Sequence, residues 1–205
     1  MRLRRIIILA LTLLTSILLV WIFTPKLIIP PTNPQEAIAV YVLDFYWHSE
    51  LVLPNSNGEL IVYAYGDWNY FALNKQDFNN GLAALFIPTK GTLGRQKFSN
   101  IDQLQQMVAK KNANLLSFKV SQTKVIQLAQ SLDKRFMKNI DTLMENHQLG
   151  LTFVQDEQSY TILHNSNHEL VRWLKNLECQ VKGLVIWANF RVKNRSDNSQ
   201  SNFSF

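Results

Sequence analysis

The stretch AIAVYVLDFYWHSELVLP, residues 37–54, is separated by the turn-forming residues NSNG from a second stretch, ELIVYAYGDW. Both stretches are rich in β-branched and aromatic residues, a composition that favours strands. The first stretch predicts either one long strand or a broken pair, and the second predicts a strand that ends at Gly66-Asp67. Strands joined by a short turn indicate an antiparallel sheet.

Two main helices are predicted later in the chain. Between Val125 and Leu143, apolar residues recur at steps of three and four, which predicts an amphipathic helix capped by Ser121. A second helix is predicted over residues 166–177, and two strands are predicted around a turn at residues 155–158. Together these elements predict an α+β domain with a mostly antiparallel sheet and two main helices.

The N-terminus predicts a membrane anchor. Three arginines in MRLRR precede residues 6–23, an uncharged apolar run long enough for a transmembrane helix. The arginines favour a cytoplasmic N-terminus and an extracytoplasmic domain. A cleaved signal peptide is the alternative, but WIFTPKLIIPP offers no small-x-small cleavage site.

The chain therefore divides into four predicted regions. Residues 1–24 form the Arg-rich cytoplasmic start and the transmembrane anchor, and residues 25–36 form a proline-rich spacer. Residues 37–192 form the extracytoplasmic α+β domain. Residues 193–205 form a polar tail that we expect to be disordered.

The formal net charge of +6 does not indicate a nucleic-acid partner. The excess of basic residues lies at the two ends of the chain, whereas residues 36–190 are electrically balanced. A balanced body lacks the clustered basic face that phosphate backbones require. We therefore predict a membrane partner through the N-terminal helix and no nucleic acid.

Ser166 has two interpretations. Ser166-Asn167-His168-Glu169 fits the capping-box pattern, in which the serine caps a helix and the glutamate reaches back to the serine N–H. A junction between a strand-like run and a helix is also a favoured place for a nucleophile. The local sequence is already explained by the cap.

Other residues that could carry chemistry are few. His48 lies in an apolar strand-like run and alternates with Glu50 onto one face, and Asp67 closes the neighbouring strand. His164 and His168 are four residues apart, but no acidic or cysteine ligand accompanies them, so we predict neither a metal site nor a cofactor. Cys179, the only cysteine, is expected to be buried.

Four segments in order carry a resemblance: FYWHSELVLP, YAYGDWNYF, LLSFKVSQTKVIQLAQSLDKRF and YTILHNSNHELVRWLKNLECQVKG. They resemble an uncharacterised bacterial membrane-anchored family, called a domain of unknown function and sometimes tagged urease-associated. The resemblance covers roughly residues 39–183. The family's strand histidine matches His48, its Gly-Asp step matches Gly66-Asp67, and its Cys-Asn pair falls on Ser166-Asn167, so serine replaces the family cysteine.

The early histidine and the late helix N-terminus also resemble circularly permuted papain-like enzymes of the NlpC and lecithin:retinol acyltransferase type. This resemblance implies a nucleophile at Ser166, a base at His48 and a third polar group, for which Asp67 is the candidate. Because a site built for cysteine rarely works unchanged with serine, we expect a catalytically decayed, papain-like binding module for a peptide, cell-envelope or lipid ligand. An active hydrolase or acyltransferase and a purely structural or assembly module are the alternatives.

Overall fold

The structure, a computed structural model, describes residues 2–193. Its helices are α1 (Arg2–Phe23), α2 (Phe78–Phe86), α3 (Ile101–Lys110), α4 (Gln122–Lys138) and α5 (Ser166–Asn176). Its strands are β1 (Lys26–Ile29), β2 (Ala37–Asp44), β3 (Ser49–Pro54), β4 (Leu60–Asp67), β5 (Thr89–Phe98), β6 (Asn114–Ser121), β7 (Met144–Asn146), β8 (Leu151–Tyr160), β9 (Gln180–Lys182) and β10 (Phe190–Val192). A π-helical turn, Trp68–Ala72, follows β4, and a 3-10 turn, Ile140–Thr142, follows α4. Residues 194–205 of the predicted tail lie outside the described residues.

Seven strands form one antiparallel sheet in the order β6-β2-β3-β4-β5-β8-β7. β2 and β3 are the broken pair that the sequence allowed, and residues 45–48 join them. The NSNG turn joins β3 to β4, and Gly58 in it has a φ of 78°, a conformation that glycine adopts without strain. The predicted α+β class with an antiparallel sheet is confirmed.

The prediction of two strands around a turn at residues 155–158 was wrong. β8 runs through these residues as a single strand. The polar run suggested a turn, but Asp156 is only 2% exposed and its carboxylate forms an ion pair with Arg135 of α4. A buried charge with a partner is compatible with a strand interior, whereas a sequence pattern cannot identify that partner.

The two faces of the main sheet pack against different helices because side chains alternate along a strand. Leu51, Tyr63 and Tyr65 belong to a core that includes the apolar residues of α4 and α5. Val52 and Val62 point to the other face, where they join Leu104 of α3. The start of α5 therefore lies over the sheet, close to the turn between β2 and β3.

A second, small sheet has the order β10-β1-β9, with β1 parallel to β10 and antiparallel to β9. β1 lies within the stretch predicted as a spacer, residues 25–36, so the beginning of that stretch is built into a sheet. Cys179 precedes β9 and is 4% exposed, which confirms its predicted burial. Burial raises the pKa of its thiol to about 12, so the thiol keeps its proton at neutral pH.

The N-terminal helix α1 exposes its described side chains, residues 4–20, all around the helix. Within the part of the chain that the structure describes, no helix is both long enough and apolar enough to cross a membrane. The predicted transmembrane segment covers residues 6–23, and the side chains of residues 21–23 lie outside the described part of the chain.

Candidate functional site

Asp67 is placed by the end of β4. The chain turns there into the π-helical turn, and Asp67 Oδ1 caps that turn by accepting the Tyr70 N–H at 2.7 Å. Asp67 is only 1% exposed, and its second carboxylate oxygen, Oδ2, is buried without a hydrogen-bond donor among the described residues. A buried acceptor without a donor costs roughly 1–3 kcal/mol, and more when it is charged.

Gly66 makes room for this arrangement. A Cβ atom at residue 66 would lie 2.4 Å from a ring carbon of Phe71, closer than side-chain carbons approach. Glycine therefore lets the ring of Phe71 lie directly on the end of β4. The Gly66-Asp67 step thus serves both the packing of one wall and the placement of the carboxylate.

Asp67 lines a cavity of about 430 Å³, within the size range of small-molecule sites. Six aromatic residues take part in its lining: Trp47, Tyr70, Phe71, Phe78, Tyr160 and Trp187. Trp47 and Trp187 meet edge to face with ring centroids 4.9 Å apart. Trp47 is 66% exposed and Phe78 is 77% exposed, so large apolar side chains face solvent beside the cavity. Such exposed aromatic surface is a feature of binding sites.

The predicted role of Ser166 as helix cap was wrong by one residue. Asn165 is the cap of α5, and its Oδ1 accepts the N–H groups of Asn167 at 3.0 Å and His168 at 3.2 Å. Ser166 is the first helical residue and is 3% exposed. Asn and Ser are equally good caps, so the sequence Asn-Ser could not decide between them.

Tyr160, at the end of β8, lies near both Ser166 and Asp67. Burial raises the pKa of the Tyr160 hydroxyl to about 12, the negative charge of Asp67 raises it as well, and the polar groups of Ser166 oppose this shift. Ser166 and Asp67, two of the three predicted site residues, therefore lie around one tyrosine. No sequence motif marks Tyr160, whose local pattern is that of an ordinary strand residue.

His48 lies in the turn before β3 and faces a different cavity. Its Nε2 is 3.4 Å from Glu50 Oε1, which confirms that the two side chains share a face. Its ring lies 4.9 Å from that of Phe71, and its Nδ1 is buried without a hydrogen-bond partner in the described chain. The second cavity, of about 410 Å³, is mostly apolar and includes Phe45, Leu149 and Phe153 in its lining.

Phe71 borders both cavities, so the His48 side and the Asp67 side are separated by one aromatic ring. Among the described residues, no hydrogen bond joins Ser166 Oγ to His48. Asn167 links the two regions instead: its Oδ1 accepts from Ser49 Oγ at 2.7 Å, and its Nδ2 donates to the Trp47 carbonyl at 3.2 Å. Asn167 is 1% exposed and holds the start of α5 against the turn that carries His48.

Glu169 does not reach back to the helix start as a capping box requires. Its carboxylate is fully buried and is paired with Arg135, with Arg172 at 3.2 Å, with Trp173 Nε1 at 3.1 Å and with His164 Nε2 at 3.1 Å. Arg135 also holds Asp156, so the cluster ties α4 and β8 to α5.

The two histidines that are four residues apart have separate partners. His164 bonds Glu169 through Nε2 and the Ser159 carbonyl through Nδ1, at 3.1 and 2.9 Å. His168 Nδ1 bonds Asn165 Oδ1 at 2.9 Å. Burial, and then the proximity of His164, lower the pKa of His168. Across residues 2–193, no group of side chains has the composition and geometry of a metal site.

Comparisons of the chain with protein-family models, with curated proteins and with solved structures found no match. The resemblance to the membrane-anchored domain family and to permuted papain-like enzymes stays a prediction.

Proposed function

We propose that the protein is a membrane-anchored binding module, in which the cavity beside Asp67 and Tyr160 takes a small ligand or the side group of a larger one. One observation carries this proposal. Asp67 is buried, one of its carboxylate oxygens has no donor within residues 2–193, and it borders an open cavity lined with aromatic rings. A ligand group that bonds Oδ2 would remove an energetic cost that the unliganded fold bears.

Catalysis by Ser166 is less well supported than binding. A nucleophile needs a base within hydrogen-bonding reach, but among the described residues no hydrogen bond joins the Ser166 hydroxyl to His48, and His48 Nε2 lies 3.4 Å from Glu50 Oε1. An oxyanion site also needs N–H groups that are free to donate. At the start of α5, the N–H groups of Asn167 and His168 donate to Asn165 Oδ1, and the Glu169 N–H donates to the Asn165 carbonyl at 3.0 Å.

A purely structural role is disfavoured by the same cavities. Structural polar groups in protein interiors are nearly always paired, as Glu169 is here. Asp67 Oδ2 and His48 Nδ1 are the unpaired side-chain atoms that are buried within the described residues, and each belongs to a residue that borders a cavity. An unpaired buried polar group requires an explanation, and a ligand that supplies the missing partner is one.

We also propose the predicted architecture around this module: a transmembrane helix at residues 6–23, an extracytoplasmic domain, and a permuted papain-like arrangement. The uncharged run behind the N-terminal arginines supports the anchor and its orientation. The contact of Asn167 with Ser49, which brings the late helix to the early strand, supports the papain-like arrangement. In right-side-out membrane vesicles, added protease should degrade the domain, and protection of the domain would contradict this orientation.

The binding proposal is tested with three probes of one shape and different charge: benzylamine, benzyl alcohol and benzoate. The full chain in uncharged detergent micelles is titrated with each probe and followed by ligand-observed NMR. We expect at least one probe to bind with a dissociation constant on the order of 1 mM, as suits so few heavy atoms.

The matched variants of this test place the same substitution inside and outside the cavity. Ala84 lines the cavity and is 7% exposed, so Ala84→Leu should fill part of it and weaken binding. Ala109 is an exposed residue of α3, so Ala109→Leu should bind as the wild type does. Binding of none of the probes, or equal binding by both variants, would refute the proposal.

A further inference from the structure

We infer that the ligand of the Asp67 cavity is an organic cation, a primary amine or a small alkylammonium group attached to an apolar body. This inference rests on the proposed binding function and adds the chemical class of the ligand. Three features of the cavity carry it: the sign of its charges, the nature of its walls, and the state of the helix start beside it.

The charged side chains that line the cavity are both acidic. They are Asp67 and Asp77, and the described lining includes no lysine, arginine or histidine. Asp77 caps α2, and hydrogen bonds from the Asn80 backbone and side chain lower the pKa of its carboxyl group, so it is negative at neutral pH. The Tyr160 phenol stays neutral because its pKa is raised to about 12. The cavity therefore favours a positive charge over a negative one.

The walls suit the same ligand. The π faces of aromatic rings attract ammonium groups, and the attraction grows when water is excluded. Trp47, Trp187 and Phe71 bring indole and phenyl rings to the cavity that holds the Asp67 carboxylate. An ammonium N–H that donates to Asp67 Oδ2 would supply the missing partner of that oxygen. The apolar body of the ligand would then pack on the two tryptophans.

The start of α5, which could otherwise attract an anion, is already occupied. Helix N-termini bind carboxylates and phosphates through free N–H groups. Here the Asn165 side chain accepts the N–H groups of Asn167 and His168, and the Asn165 carbonyl accepts the Glu169 N–H. An anion would meet two carboxylates, and three of the first four N–H groups of the helix already have an acceptor, so phosphate and carboxylate ligands are disfavoured.

The charge series of probes tests this inference directly. At pH 7 benzylamine is a cation, benzyl alcohol is neutral and benzoate is an anion, although the three have nearly the same shape. We expect the full chain in uncharged detergent to bind benzylamine at least about ten-fold more tightly than benzyl alcohol, and benzoate most weakly.

A variant then removes the charge and keeps the shape. Asn can cap the π-helical turn as Asp does, so Asp67→Asn should fold. It should lose about ten-fold in affinity for benzylamine and keep its affinity for benzyl alcohol. The control Asp102→Asn makes the same change at an exposed carboxylate of α3 and should bind as the wild type does.

The outcomes separate this inference from the proposed function. If benzyl alcohol or benzoate binds as tightly as benzylamine, the cation inference is overturned while the binding module stands. If the amine preference is the same in Asp67→Asn, the inference is overturned as well, because the preference would then arise elsewhere. If no probe binds the wild type, the binding module itself fails, and the cation inference with it.

Discussion

Glu169 and Asp67 are two buried carboxylates near the start of α5, and their surroundings are opposite. Glu169 is fully buried and has four donor groups, from Arg135, Arg172, His164 and Trp173. Asp67 is 1% exposed and has one backbone donor, while its other oxygen has none in the described chain. The two carboxylates are therefore about equally buried, and they differ in the number of hydrogen-bond donors that pair with them.

This difference indicates which carboxylate serves the fold and which serves a ligand. The donors of Glu169 come from α4, α5 and the segment after β8, so its pairing fixes how these elements pack. Asp67 fixes only the turn that follows β4 and borders a cavity. We expect substitutions around Glu169 to act on stability and substitutions around Asp67 to act mainly on binding.

The largest effect is expected from Glu169→Ala. It leaves Arg135 with one carboxylate partner and strips His164 and Trp173 of an acceptor. Removing one partner of a buried ion cluster costs about 3–5 kcal/mol in free energy of unfolding. Urea unfolding followed by tryptophan fluorescence measures this loss.

The control for that loss is Glu157→Ala, which breaks an ion pair with Lys138 in which both side chains are more than half exposed. Exposed pairs contribute about 0–1 kcal/mol, so this variant should unfold close to the wild type. Similar losses for the two variants would show that the Glu169 cluster does not hold the fold.

A smaller effect, on both stability and binding, is expected from Gly66→Ala. The new Cβ would lie 2.4 Å from the Phe71 ring, so the ring must move, at a cost of about 2 kcal/mol in free energy of unfolding. Because Phe71 borders both cavities, probe binding should weaken as well. Thermal unfolding and the benzylamine titration measure the two effects.

Gly81→Ala is the matched control on α2. Its Cβ would make an ordinary contact of 3.7 Å with Tyr70, and alanine is the better helix former. This variant should gain about 0.5–1 kcal/mol in free energy of unfolding. If Gly66→Ala is as stable as Gly81→Ala, the Phe71 ring does not depend on the glycine.

The identity of the helix cap gives the next smaller effect. Asn165→Ala removes an acceptor for two backbone N–H groups and for the His168 ring, and should cost about 1 kcal/mol in free energy of unfolding. Ser166 is the first helical residue and not the cap, so Ser166→Ala should cost less, about 0.5 kcal/mol. Chemical denaturation of the two variants in parallel checks the order, and a larger loss at Ser166 would restore it as the cap.

Much of the fold was readable because it depends on local patterns. β-branched runs and the NSNG turn predicted β2, β3 and β4, and the three- and four-residue steps predicted the main helix α4. The failures came where a polar residue has a distant partner. Residues 155–158 looked like a turn, because nothing in β8 itself shows that Arg135 neutralises Asp156.

The candidate site was readable only in part. Short motifs predict Asp67 and Ser166 as site residues, and the structure places both of them near Tyr160. Similar motifs predict His48, but it faces the other side of Phe71. Trp187 reaches the cavity from the loop between β9 and β10, and no local pattern marks a residue whose role depends on a contact across the fold.

The smallest effect concerns pH and the histidine at the start of α5. Burial, and then His164, lower the pKa of His168, so the folded protein binds fewer protons at this ring than the unfolded chain does. The stability that this ring contributes is therefore present above pH 6.5 and is lost as the pH falls below it. We expect His168→Gln to reduce the loss in free energy of unfolding between pH 7.5 and 5.5, measured by urea unfolding at each pH. The control His147→Gln changes a ring that is 89% exposed, so its unfolding free energy should depend on pH as that of the wild type does. If His168→Gln also leaves this pH dependence unchanged, the result would contradict the role of burial at the His168 ring.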